Sequence, residues 1–429
     1  MPNRYLIVGV TAVAALLLYI DRVCISILAD PIQMDLDLAP QEKELALSAF
    51  FFTYALFQIP IGSLADRFGP RLVLTVSIVA WSVVTALTGL AWSFGSLLVF
   101  RLLLGLCESG AYPAAAALVK RWARPEERGR FNSIVLFGGR IGGAFAPALT
   151  TMVGRSLVGV GVAAVVIGES AVNWRGVFVL YGVCGLAVAL LFWLFVRDRP
   201  QVEPDRSTTP VASPPTSFGR MLKLVGGNRK MWYFGTLQFC INISWAFLVT
   251  LLPSYLKDAN VEIGLRGTIQ TGILLAGCVG MLLGGLLTDA VNNRLGPRWG
   301  RSAPTATLMT VCGLMIVLVS LSPGLLVVVT ALAITSLCLD LSLPSLWAYA
   351  QDVAGPNAGA VFGFGNMLGN FGAALSPLLL GAVSRAAGWE GAFAVCASCY
   401  LVAAFFGLLL DASKPLDAAI TSPQTDSVG

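Results

Sequence analysis

Twelve apolar stretches occupy most of the chain, and each is long enough to cross a lipid bilayer. They cover approximately residues 5–29, 45–65, 71–92, 95–119, 131–153, 176–196, 231–256, 265–288, 303–321, 323–350, 358–384 and 389–410. A helix needs about 20 apolar residues to span a hydrocarbon core of ~30 Å. Backbone polar groups in lipid must be satisfied within the segment, which selects helices here. The expected fold is an all-α membrane protein of twelve transmembrane helices. Only 12% of the 429 residues are charged, against about 25% in soluble domains, so a soluble multidomain enzyme is excluded.

The organisation is read as two six-helix halves, residues 1–196 and 230–412. Residues 197–229 form a cytoplasmic linker rich in Pro, Ser, Thr and charge, and 413–429 form a cytoplasmic tail. Nineteen of the 28 Lys and Arg residues fall in loops of one parity and six in the other, with three inside spans. That bias places both termini in the cytoplasm of an inner-membrane protein. Ser156–Gly168 is apolar but too short to span, and reads as an excursion at the outer face. The Lys120–Arg130 run reads as positive-inside anchoring.

The halves repeat. Gly62-Ser-Leu-Ala-Asp66-Arg67-Phe-Gly-Pro-Arg71 follows the second span and is echoed by Gly284-Gly-Leu-Leu-Thr-Asp289 and Arg294-Leu-Gly-Pro-Arg298 after the eighth. Pro147 matches Pro377, and Trp174-Arg175-Gly176 matches Trp389-Glu390-Gly391. Duplicated six-span units are a transporter signature, with binding near the midplane between them.

Six ionisable residues lie inside spans: Asp21, Arg22, Arg101, Glu108, Arg140 and Asp340. Such groups are expensive in lipid and are functional candidates by default. Arg101 and Glu108 stand two helical turns apart on one face. Asp66, Arg67 and Arg71, with Gly62 permitting close approach, are expected to form a charge cluster at an inner gate. Neutral candidates are Tyr54 with Gln58, Gln238 with Asn242 and Trp245, Trp347, and Asn366 with Asn370.

What is missing also narrows the function. The chain has no histidine, which removes His-based catalysis, His metal sites and Ser–His triads. The nine cysteines all sit in apolar runs, and Cys396-x-x-Cys399 stands alone. No Walker sequence offers ATP drive. No catalytic residue, metal, cofactor or nucleic-acid partner is expected, and the protein is not read as an enzyme.

Over nearly its whole length the sequence resembles the major facilitator superfamily, whose most specific motif is the Gly62–Arg71 loop. More narrowly it resembles the anion:cation symporter branch, which holds bacterial hexuronate, galactonate, glucarate and phthalate transporters and the sialin relatives. The likeness rests on Tyr19-Ile-Asp21-Arg22, Tyr54-x-x-x-Gln58-Ile-Pro60-x-Gly62, Arg101-x-x-x-Gly105-x-x-Glu108-x-x-x-Tyr112-Pro113 and Asn366-x-x-Gly369-Asn370-x-Gly372.

The resemblance implies that Arg22 holds a substrate carboxylate, that Asp21 and Glu108 carry protons, and that Arg101 pairs with Asp21. It also implies that Tyr54, Trp347, Asn366 and Asn370 contact substrate hydroxyls; Gln238, on the polar face of the seventh span, is expected to join them. Leu18, the excursion, Asp340 and the stretched second-half loop depart from the branch's pattern. The leading expectation is a monomeric, proton-coupled symporter of a small organic anion such as a sugar acid. The alternative is a drug/proton antiporter, suggested by Gly138-Gly-Arg140-Ile-Gly-Gly143 but lacking that group's Gly-Pro pair.

Overall fold

A computed structural model describes residues 4–158, 165–167, 170–198, 218–321 and 324–416. Most of the expected linker, much of the Ser156–Gly168 excursion and the tail beyond 416 lie outside the described residues.

Ten helices among the described residues are long and apolar enough to cross a membrane. The first six spans are Arg4–Ile27, Pro40–Phe68, Pro70–Thr88, Phe94–Trp122, Arg128–Ser156 and Trp174–Phe195. Arg229–Asp258 is the seventh and Leu325–Val353 the tenth. Two helices are double. Ile263–Leu321 runs for 59 residues, about 90 Å if straight, and is broken at Gly296 by a φ of 73°. Ala358–Leu408 is broken at Ala387 and Gly388, where φ reaches 69°. Only glycine adopts such angles without strain. Each break divides one continuous run into two spans, which makes twelve: 263–295 and 297–321 are the eighth and ninth, 358–386 and 389–408 the eleventh and twelfth.

Local chemistry sets several of the ends. Pro40 and Pro70 open their helices, where a missing N–H is harmless. The Asn173 side chain accepts from the Gly176 amide at 2.8 Å and caps the sixth span. Residues 289–302, expected as a loop, are helical on both sides of Gly296. A short helix, Phe218–Gly227, lies inside the expected linker. The excursion forms two three-residue antiparallel strands, Val165–Ile167 and Ser170–Val172, with Val165 opposite Val172. They are far too short to cross a bilayer.

The chain divides into two compact units. One comprises Met1–Trp122 and Ser133–Glu203, the other Ala123–Asn132 and Pro204–Gly429. The ten residues from Ala123 to Asn132 thus belong with the second unit although the first surrounds them in sequence.

In the first unit, small residues bring helices into backbone contact. A Cβ on Gly138 or Gly142 of the fifth span would lie 2.2 Å from the Ala12 or Leu16 carbonyl oxygen of the first. Gly139 and Gly143 face the Tyr19 ring. The glycines of the Gly138–Gly143 motif are thereby accounted for as a packing seam. In the second unit Gly280 and Gly284 meet the Leu337 and Leu341 carbonyls in the same manner.

Each unit carries a matching clasp. The Trp174 indole N–H donates to Asp35 at 3.1 Å, and that of Trp389 donates to Asp258 at 3.0 Å. Arg175 reinforces the first clasp, donating to Asp35 at 2.8 Å and to the Ala91 carbonyl at 2.6 Å. Glu390 occupies the matching position in the second.

Candidate substrate and coupling site

Glu108 and Arg101, two intramembrane charges of the first unit, gather around Arg22. Its guanidinium donates to Glu108 Oε2 at 3.0 Å, with Glu108 fully buried and Arg22 nearly so. Three rings surround the cation: Tyr54 at 4.3 Å, Phe50 at 5.0 Å and Tyr19 at 5.3 Å from centroid to guanidinium carbon. Cation–π attraction strengthens as water is excluded. Tyr112 meets Tyr19 edge-on at 6.3 Å and extends the aromatic wall. The other Glu108 oxygen, Oε1, has no hydrogen-bond partner among the described residues.

The expected Arg101–Asp21 pair does not form. Arg101 Nε donates instead to the Ala46 carbonyl at 3.3 Å, and its guanidinium lies 4.9 Å from the Phe50 ring. Both carboxylate oxygens of Asp21 are buried without a hydrogen-bond partner among the described residues. Arg101 is held by the second span, where the Ala46 carbonyl and the Phe50 ring face lie one turn apart. Glu108 is left to Arg22.

In the second unit, Asn370 donates to the Asn366 carbonyl at 2.7 Å, and Asn242 donates to the Gln238 carbonyl at 2.8 Å. Gln238 is buried, and its side-chain oxygen lacks a partner among the described residues. Trp347 packs edge-on against Phe362 at 4.4 Å. Gln238 and Asn242 pack against Gly369 of the eleventh span, within 3.5 Å of a Cβ built there.

Near the C-terminal end of the second span, Gly62 and Asp66 are buried. Arg67 is exposed and lies over the Phe68 ring at 5.3 Å. Arg71 turns to the end of the sixth span rather than joining a three-residue cluster. Its amide donates to Asp198 Oδ1 at 2.9 Å, and its guanidinium donates to the Trp193 carbonyl at 2.6 Å and covers the Trp193 ring. Asp198 thus caps the third span. Nothing in the sequence marked it, because its partners Arg121 and Arg71 lie 77 and 127 residues away.

The second unit carries a larger polar network. Asp289, the echo of Asp66, accepts from the Gly129 and Arg130 amides at 2.8 and 3.0 Å and from Arg130 Nε at 3.1 Å. It caps the start of the fifth span, where unpaired N–H groups favour an anion. Asp352 bridges Arg128 and Arg301, with Arg301 Nε at 2.8 Å. Arg301 also donates to the Pro125 carbonyl at 2.8 Å. Asn132 and Gln351 exchange reciprocal amide hydrogen bonds at 3.0 and 2.9 Å. The basic run ending at Arg130 is therefore more than an orientation signal: Arg128 and Arg130 are specifically paired. The duplicated loop pointed to Asp289, but no local pattern pointed to Asp352 or Arg301.

Comparison with known proteins agrees with this architecture. The Major Facilitator Superfamily profile matches residues 11–377. The chain belongs to that superfamily. It is 30% identical to the probable sulfoacetate transporter SauU of Cupriavidus necator, over 97% of this chain and 96% of that protein. It is 29% identical to the hexuronate transporter of Bacillus subtilis, over 89% and 88% of the two chains. Among solved structures, the Escherichia coli fucose:proton symporter FucP superposes with a TM-score of 0.72 at 17% identity. That match covers 95% of this chain and 100% of FucP. The human organic anion transporter MFSD10 gives 0.69 at 15% identity, over 95% and 100%. These likenesses show the fold. The protein is an integral membrane transporter and not an enzyme.

Proposed function

We propose that this transporter is a proton-coupled symporter that imports a small organic anion, a sugar acid such as a hexuronate or aldonate, by alternating access. Both termini lie in the cytoplasm, and the protein works as a monomer. The observation that carries the reading is Arg22, held between the Glu108 carboxylate and a cage of three aromatic rings.

A guanidinium matches a carboxylate bidentately. An incoming anion and the ionised Glu108 therefore compete for one cation. Protonation neutralises Glu108 and releases Arg22 to the anion, so proton and substrate load together. Coupling follows from this competition without a separate linkage. Asp21, buried one residue away, is the second proton carrier, and Arg101 contributes positive charge to the same region. Tyr54, Gln238, Trp347, Asn366 and Asn370 contact the hydroxyls of the substrate. Gly62, Asp66, Arg67 and Arg71 belong to the inner gate. The named relatives support an anionic cargo, since a hexuronate and sulfoacetate both carry a carboxylate. The glycines that suggested antiport are explained by the seam with the first span.

The test is uptake into proteoliposomes from a panel of labelled hexuronates, aldonates, aldarates and sulfoacetate. An inside-alkaline gradient is expected to drive accumulation, and a protonophore to abolish it. Accumulation that survives the protonophore and requires sodium refutes proton coupling.

A further inference from the structure

Phe50 stands in the run Ala49-Phe50-Phe51-Phe52, which reads in sequence as ordinary lipid-facing apolar surface. Phe51 and Phe52 are exposed, but Phe50 itself is fully buried. Two cations share its ring. The guanidinium carbons of Arg22 and Arg101 lie 5.0 and 4.9 Å from its centroid. The Tyr54 ring, one turn on, stacks beside it at 5.5 Å with planes 18° apart.

The ring is also held from behind. A Cβ on Gly105 would lie 2.2 Å from the Phe50 carbonyl oxygen, so the fourth span presses on this turn of the second. The Thr53 hydroxyl donates to the Leu102 carbonyl at 2.8 Å and fixes the same contact. Ala46, four residues before Phe50, accepts from Arg101.

Two guanidiniums at lipid depth repel each other, and the structure gives Glu108 to only one of them as an ion-pair partner. An aromatic face is an electron-rich surface that attracts a cation without carrying a charge of its own. It can steady a guanidinium and still leave its N–H groups available in the guanidinium plane. A carboxylate cannot do this, because it occupies those N–H groups.

We infer that Phe50 is a positioning residue for the anion site: its ring, shared by Arg22 and Arg101, holds Arg22 against the pull of Glu108 and keeps its donors available to substrate. The inference rests on the reading of Arg22 as the anion receptor. Without the ring face, Arg22 settles more firmly on Glu108, and an incoming anion must displace a stronger competitor. The loss appears in apparent affinity and not in the rate at saturation.

The experiment measures gradient-driven uptake of labelled D-glucuronate and of sulfoacetate in proteoliposomes for wild type, Phe50→Leu, Phe50→Tyr and Arg22→Lys. Phe50→Leu is expected to raise KM about tenfold with kcat within twofold, and Phe50→Tyr, which keeps the ring, to restore KM. Should Phe50→Leu fail to fold, replacing Phe50 with mono-, di- and trifluorinated phenylalanine drains the ring face while nearly preserving shape. KM should then rise stepwise with fluorine number. A KM that is flat across the leucine variant or the fluorinated series, while Arg22→Lys raises it, overturns the role of Phe50 alone. Unchanged KM in Arg22→Lys, or a wild type that carries neither anion, overturns the reading beneath it.

Discussion

Glu108→Gln isolates the competition for Arg22. The substitution preserves length and leaves an amide oxygen where Oε2 accepts from Arg22 at 3.0 Å, but it removes the charge. A hydrogen bond to a charged partner contributes about 1.5–3 kcal/mol and a neutral one about 1. In the variant the bond keeps the Arg22 charge and falls to the low end of the charged range, so removing the negative charge weakens the hold on Arg22 by roughly 1–2 kcal/mol, and that free energy passes to any anion that takes the cation. Anion binding should tighten about five- to thirtyfold.

The pH dependence should change with it. Wild-type affinity rises on acidification, because protonating Glu108 removes the competitor, and the variant should bind with nearly constant affinity across the same range. The assays are equilibrium binding to purified protein at several pH values, substrate counterflow, and accumulation under an imposed pH gradient. Counterflow should survive and accumulation fail. The reasoning is refuted by an unchanged dissociation constant together with normal accumulation. A variant that loses about 3–5 kcal/mol of stability without a change in affinity would instead mark the pair as a structural ion pair.

Gly142→Leu should lower the thermal midpoint through overpacking of about 1–3 kcal/mol, since its Cβ meets the Leu16 carbonyl at 2.2 Å, whereas Gly9→Ala, with nothing within 4 Å, should leave it unchanged. A midpoint equal in both variants contradicts the glycine seam. Asp352→Asn strands Arg301, which has no exposed side-chain surface, and should cost roughly 3–5 kcal/mol of the docking of residues 123–132. Limited trypsin digestion at Arg128 or Arg130 reads this directly, and cleavage as slow as in wild type contradicts the network.

The twelve spans were legible because bilayer thickness imposes its length on the sequence, and Gly296 and Gly388 mark real breaks. The segment 289–302 was not legible as helix, because polarity reports where a chain leaves lipid and not whether its helix stops there. At the site, periodicity identified Arg101 and Glu108 as sharing a face. It could not say which of two arginines Glu108 meets. That is decided by how deeply Gly105 and Gly139 let neighbouring spans approach, a property of helix pairs. Asp198 and Asp352 escaped notice for the same reason, since each works by capping or bridging segments distant in sequence.

The two clasps also frame the hairpin that lies between the fifth and sixth spans. Asp35 to Asp258 and Asp66 to Asp289 are each separated by 223 positions, so the early part of one half aligns with the other without a gap. Farther on the register fails. Pro147 and Trp174 are 27 residues apart, whereas Pro377 and Trp389 are only 12 apart, yet both tryptophans reach the same kind of carboxylate. The surplus of 15 residues falls where the paired strands Val165–Ile167 and Ser170–Val172 lie, and where the second copy makes do with a single glycine turn at Gly388. The hairpin is accordingly extra length that the first half carries and the second does without. Both halves close the same tryptophan–carboxylate clasp, so the connection can differ in length while the pairing it leads into stays the same.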